Sequence, residues 1–215
     1  LLLPAGTSNY AVSGPMMLVG AGLALTGAIA ELHVAAARHQ GLVLAATAPS
    51  SRGGPGYDQE LIARISKAAD RPATTASTAQ LRAMDALGVR RIVVAAPWSE
   101  AVNRSAAAFV GASGYQVLEH RAMGLVDNLD IGRLDPSTAL ELGRAIDRPD
   151  AEAVMLACGN WMTLGIVDQL EAAIGKPVLT TNQVSLWDLL RLAGHDRPLP
   201  GWGRLLADPA HWGRA

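Results

Sequence analysis

Two stretches of the chain, RPATTASTAQLRAMDALG at residues 71–88 and KPVLTTNQVSLWDLLRLAG at residues 176–194, follow one plan. Each is a short strand led by a proline, then a polar turn, then a Leu-rich helix that a glycine closes. Upstream of each lies an apolar strand running into another polar turn: LVLAATAPSS (42–51) in one case, AVMLACGNWMT (153–163) in the other. The repeat predicts two related α/β halves. Laying LAAT (44–47) over LACG (156–159) puts Ala46 opposite Cys158 and Thr47 opposite Gly159.

The rest of the chain continues the alternation. Strands are expected at 41–47, 72–75, 91–97, 151–158 and 177–181. Helices are expected at 57–69, with Leu61, Ile62 and Ile65 on one face, at 77–88, capped by Ser77 and ended by Gly88, and at 99–114, 136–146, 161–175 and 182–194. The stretch YQVLEHRAM (115–123) falls between two of these helices. Strands alternating with helices give parallel sheets covered by helices, and ligands then bind beyond the carboxyl ends of the strands. Both strand-end turns would line such a site if the halves face each other. The apolar run PMMLVGAGLALTGAIA (15–30) is shorter than the roughly 20 residues that span a bilayer and reads as a buried first helix.

With 50% hydrophobic and 17% charged residues in a chain of 215, a large core can be buried. Eighteen basic against 19 acidic side chains give a net charge of -1, and no basic run marks a nucleic-acid surface. One cysteine excludes an internal disulfide framework and a multi-thiolate zinc site, which fits a reducing cytoplasm. The five histidines, His33, His39, His120, His195 and His211, lack ligand spacing, so no metal is implied. There is no phosphate loop, no HExxH pair and no GxSxG elbow. SRGGPGY (51–57) reads as a flexible loop that can cover a site. Cys158 is the strongest candidate for a nucleophile or an acid. A helix starting near Trp161 would point backbone N–H groups at the thiol, which depresses a thiol pKa, and would also hold a carboxylate.

The stretches RPATTASTAQLRAMDALGVRRIVVAAPWSEAVNRSAAAFV, ACGNWMTL, WDLLRLAG and RPLPGWGRLL together resemble the aspartate/glutamate racemase superfamily. Within it the likeness is nearest to the arylmalonate decarboxylases, with maleate isomerases next; GLVDNLDIGRL (124–134) is more similar to the latter. The resemblance implies two pseudo-symmetric halves, each with a parallel sheet of four-stranded type, and the active site between them. Residues 1–93 with 182–215 would form one half and 94–181 the other, which carries Cys158. LLLPAGTS resembles the family's second strand region, so a longer N-terminus is expected before Leu1.

Racemases and maleate isomerases of this type resemble one another in placing a cysteine on each half; here the first-half position is Ala46. A two-thiol mechanism loses its acid or base, whereas the decarboxylases pair a small residue with one cysteine. The resemblance therefore implies cofactor-independent decarboxylation of a disubstituted malonic acid, with Cys158 protonating an enediolate. Thr47, the backbone of Ala48, Trp98 and the backbone of Gly159 would bind the substrate. Ala48 and Trp98 depart from the family's serine and tyrosine, so one hydroxyl donor is missing and the other is replaced by an indole N–H. Asn128 is a carboxylate ligand by likeness to the isomerases, or a turn residue. Val12, Leu125 and Ile131, with Ala46, are pocket candidates, although core packing is an equally good reading of the first three. Asp127 and Asp130 read as solvated, and Trp187 as core. The partner implied is a small dicarboxylic acid bound by a monomer or homodimer, away from nucleic acid and membrane. A maleate isomerase or racemase of the same superfamily, or an inactive small-acid binder, is the alternative.

Overall fold

A computed structural model describes the backbone of residues 16–19 and the whole of residues 40–213. Its strands form two parallel sheets. In the first, β1 (Met16–Val19), β2 (Gly41–Leu44) and β3 (Ala73–Thr75) lie in that order. The second has the order β5-β4-β6-β7, with β4 at Arg91–Trp98, β5 at Gln116–Leu125, β6 at Ala153–Leu156 and β7 at Val178–Thr180. Residues 16–19, expected in a helix, are a strand that pairs along β2, Met16 opposite Gly41 and Val19 opposite Leu44. A continuous apolar run fits a fully buried parallel strand as well as a buried helix, and periodicity does not separate the two. The remainder of the expected 15–30 helix, and Val12, lie outside the described residues.

The helices fill the connections that parallel strands require. They are α1 (Thr47–Ser51), α2 (Tyr57–Ala69), α3 (Ala76–Ala86), α4 (Glu100–Ala112), α5 (Asn128–Gly132), α6 (Pro136–Ile146), α7 (Val167–Ile174), α8 (Thr181–Leu192) and α9 (Arg204–Ala207). None of those described is long and apolar enough to cross a membrane. On α2, Leu61 and Ile65 are buried with Leu42 and Leu44 beneath the first sheet, and Ile62 packs at the edge of that cluster. The larger core surrounds the second sheet and includes the fully buried Trp161 and Trp187. Trp187 is core, as expected, with its indole N–H on the carbonyl of His211 at 3.2 Å.

The repeat holds at the level of register. Leu44 sits opposite Thr75 in the first sheet, and Leu156 opposite Thr180 in the second. Both threonines then cap the helix that follows: Thr75 accepts from the amide of Thr78, and Thr180 accepts from that of Gln183, whose side chain completes a capping box. Thr75, rather than Ser77, therefore starts α3; Ser77 lies inside the helix with its hydroxyl on that of Ser50 at 2.7 Å. Helices α3 and α8, each following the proline-led strand of its repeat, pack on each other. There Asp188 of α8, wholly buried, takes a hydrogen bond from Thr74 at 2.6 Å and pairs with Arg82 of α3 at 2.9 Å.

The tail returns to the start of α8. Gln183 donates to the carbonyl of Trp202, Asp168 accepts from the amide of Gly203, and Glu171 accepts from the amides of Val178 and Arg204. Burial pushes the Glu171 carboxyl pKa upward against these amides, which favour its charged form. Gly203 has φ +86°, and a Cβ there would stand 2.4 Å from the Val167 side chain. Only glycine fits both the conformation and the space.

Candidate active site

Beyond the ends of β2 and β6 the chain makes two turns, and the structure packs them against each other. Ala46 and Cys158 each follow their strand by two residues, and the half-buried Ala46 offers no reactive atom. Gly159 joins the turns: a Cβ on it would lie 2.5 Å from the carbonyl oxygen of Ala45, so only glycine permits this approach. A second bond between the halves runs through Thr181, the first residue of α8. Its hydroxyl accepts the amide N–H of Cys158 at 3.0 Å and stands 2.9 Å from the hydroxyl of Thr47. The fully buried Ser50 hydroxyl ties α1 together by donating to the carbonyl of Ala46 at 2.7 Å.

Cys158 is 5% exposed and has φ +149°, a conformation that side chains with a Cβ rarely adopt. Burial pushes its thiol pKa up to about 11, and the amides of Asn160 and Trp161 offset this only in part. The helix expected at 161–175 starts later: a 3-10 turn at Leu164–Ile166 precedes α7 at Val167–Ile174, so the amides near the sulfur belong to a turn and add no helix dipole. The expectation of a depressed pKa is thus corrected. Desolvation wins, and at neutral pH the sulfur carries its proton.

The other expected site residues separate into two groups. Trp98 ends β4 with its indole N–H buried and without a partner among the described residues, and it is in register with the half-buried Leu125. Thr47 is buried and Ala48 half-buried on α1. Asn128 is exposed at the start of α5, and its carbonyl accepts from the side chain of Asn160, which brings α5 beside the Cys158 turn. Ile131 is 2% exposed and belongs to the core. Asp127 and Asp130 are exposed, but Asp127 also caps α5 by accepting from the amide of Leu129 at 2.8 Å. Among the described residues no cluster of His, Cys, Asp and Glu could hold a metal ion.

A family model described as arylmalonate decarboxylase matches residues 26–206. The chain belongs to the arylmalonate decarboxylase family. Among relatives, arylmalonate decarboxylase from Bordetella bronchiseptica is 34% identical over 155 residues, covering 71% of this chain and 65% of that one. A maleate isomerase from Geobacillus stearothermophilus is 26% identical over 160 residues, covering 72% and 64%. The chain thus spans just under two-thirds of the length of both relatives. A mutant of arylmalonate decarboxylase solved in the liganded form superposes with a TM-score of 0.79 at 28% identity, covering 85% of this chain and 78% of that one. The tail that clamps α8 in this member of the arylmalonate decarboxylase family is the RPLPGWGRLL stretch that carried part of the likeness.

Sequence reasoning missed Thr181, which occupies the position after the proline-led strand that Ala76 holds in the first half. The repeat alignment carried that signal: a hydroxyl in one half faces a methyl in the other. It also missed Asn160, whose contact with α5 no spacing rule reveals.

Proposed function

We propose that the protein decarboxylates an aryl-substituted malonic acid to a chiral monocarboxylic acid, with Cys158 as the proton donor. The observation that carries this reading is one buried, protonated thiol opposite an alanine. A racemase or isomerase of the two-thiol kind needs a second reactive group on the other face, and Ala46 supplies none.

In the proposed reaction the bond between Cα and one carboxylate breaks, CO2 departs, and the electron pair passes to the remaining carboxylate as an enediolate. The indole N–H of Trp98 and the backbone amides of Ala48 and Gly159 are the donors suited to that charge. The S–H proton of Cys158 moves to Cα on the face the thiol occupies, and solvent reprotonates the sulfur. A thiol raised toward 11 stays protonated until a strong carbon base forms beside it. The aryl group delocalises the carbanion, so the scheme requires no cofactor.

The test is NMR of an aryl-methyl-malonate incubated with the protein in D2O. A monoacid deuterated at Cα in one enantiomer supports the reading. An unchanged malonate with isomerised maleate or exchanged aspartate overturns it in favour of another reaction, and binding without turnover of any of these points to a small-acid binder.

A further inference from the structure

Helix α4 presents Asn103, Ala106, Ala107 and Val110 on its buried face, spaced three and four apart as one stripe. The three apolar members pack into the core. Asn103, the member nearest the end of β4, is 0% exposed, and neither its Nδ2 nor its Oδ1 has a partner among the described residues. A buried carboxamide with no partner costs stability that an apolar residue of the same shape would not. Its presence in an otherwise apolar stripe calls for a ligand.

The surroundings define which ligand. Trp98, two residues before α4, also holds a buried donor without a partner. Ser99 makes no side-chain cap, so its hydroxyl does not occupy the first-turn amides of α4. Helix α1, which begins with Thr47 and Ala48, packs against α4. Glu100, the acidic residue of that first turn, pairs with Arg104 at 3.6 Å. Donors therefore predominate where β4 enters α4, and they suit a carboxylate.

We propose that Asn103 is a substrate-binding residue whose carboxamide, with the indole N–H of Trp98, holds the carboxylate retained in the product. This rests on the decarboxylase reading given above. Nδ2 donates to a carboxylate oxygen, leaving Oδ1 for an N–H group or a water. The amide supplies the hydrogen-bonding capacity that Ala48, lacking a hydroxyl, does not.

Calorimetric titration of phenylmalonate into the Cys158→Ala protein, which is expected not to turn the ligand over, with Asn103 intact or replaced as Asn103→Leu or Asn103→Ser, and thermal unfolding of each unliganded protein, tests the assignment. Asn103→Leu is expected to unfold at an equal or higher temperature, because an orphan amide has gone, and to bind phenylmalonate at least tenfold more weakly. Unchanged affinity in a folded Asn103→Leu protein overturns the role of Asn103 and leaves the decarboxylase reading intact. If Asn103→Leu does not fold, Asn103→Ser decides by the same criterion. A Cys158→Ala protein with Asn103 intact that binds no phenylmalonate overturns both readings together.

Discussion

Thr47 and Thr181 meet hydroxyl to hydroxyl at 2.9 Å, though 134 positions separate them in the chain. The contact crosses from one half to the other, and because Thr181 also accepts from the Cys158 amide, it sets where the thiol-bearing turn lies relative to α1.

Thr181→Val removes that acceptor and leaves a buried N–H unpaired. A loss of about 1–3 kcal/mol in urea unfolding is expected, with turnover of an arylmalonate falling tenfold or more. Thr181→Ser keeps the hydroxyl and should recover most of both. Equal activity in the valine and serine variants would show that the hydroxyl does not position the turn.

The Cys158 thiol makes stability depend on pH at the alkaline end. Its pKa rises from 9.0 to about 11 on folding, so between these values the folded state holds a proton that the unfolded state has lost. Stability is complete below pH 9 and declines as pH climbs toward 11, by about 2–3 kcal/mol for a shift of this size. Tyr115, raised to about 12, titrates nearby, so the measurement is the difference between wild type and Cys158→Ala across that range. Parallel curves would exclude a buried thiol.

At φ +149° the Cys158 backbone is strained for any residue with a Cβ, by about 1–3 kcal/mol. Cys158→Gly should therefore be at least as stable as Cys158→Ala, despite the greater freedom of glycine when unfolded. Both lose the proposed proton donor and are expected to lose turnover. A glycine variant clearly less stable than the alanine one would mean that the backbone there is relaxed.

Gly159→Ala would press a methyl to within 2.5 Å of the Ala45 carbonyl oxygen, a backbone atom that cannot swing aside. The two turns must separate. A melting temperature several degrees lower and a loss of phenylmalonate binding are expected; normal binding in the folded variant would mean that the two turns need not touch.

Ala46→Cys combined with Cys158→Gly moves the proposed acid to the equivalent position in the other half. With the site between facing halves, the product is expected in the opposite handedness, read by chiral chromatography. The same enantiomer from both proteins would rule out protonation from opposed faces.

The parts of this arrangement that were legible in the sequence are those written in repeated local chemistry. Proline-led strands and Leu-rich helices recur, and the structure gives the two repeats equivalent pairings, Leu44 with Thr75 and Leu156 with Thr180, whose register the sequence does not state. Met16–Val19 was misread because four apolar residues satisfy either period. The start of α3 was misplaced by two residues because Thr75, Ser77 and Thr78 all suit a cap, and only the extended backbone at Thr75 selects one. Cys158 stood out in the chain as its one thiol and Trp98 was named through the family resemblance, whereas Thr181 is set by a long-range contact and Asn103 by the lack of a partner, which no local pattern shows. The thiol's ionisation was misjudged because a turn was taken for a helix start, and burial, which decides the sign, is a property of the packed core.

The contacts of Trp202, Gly203 and Arg204 have a consequence for how the protein is made. Trp202 braces the first turn of α8, whose leading residue holds the Cys158 amide, while Gly203 and Arg204 bond to Asp168 and Glu171 of α7; all three follow Cys158 by more than 40 positions. Chains fold from the N-terminus as they are synthesised. A nascent chain therefore carries the strands of both sheets before it carries the residues that tie α7 to α8, so these two helices gain their shared tether last.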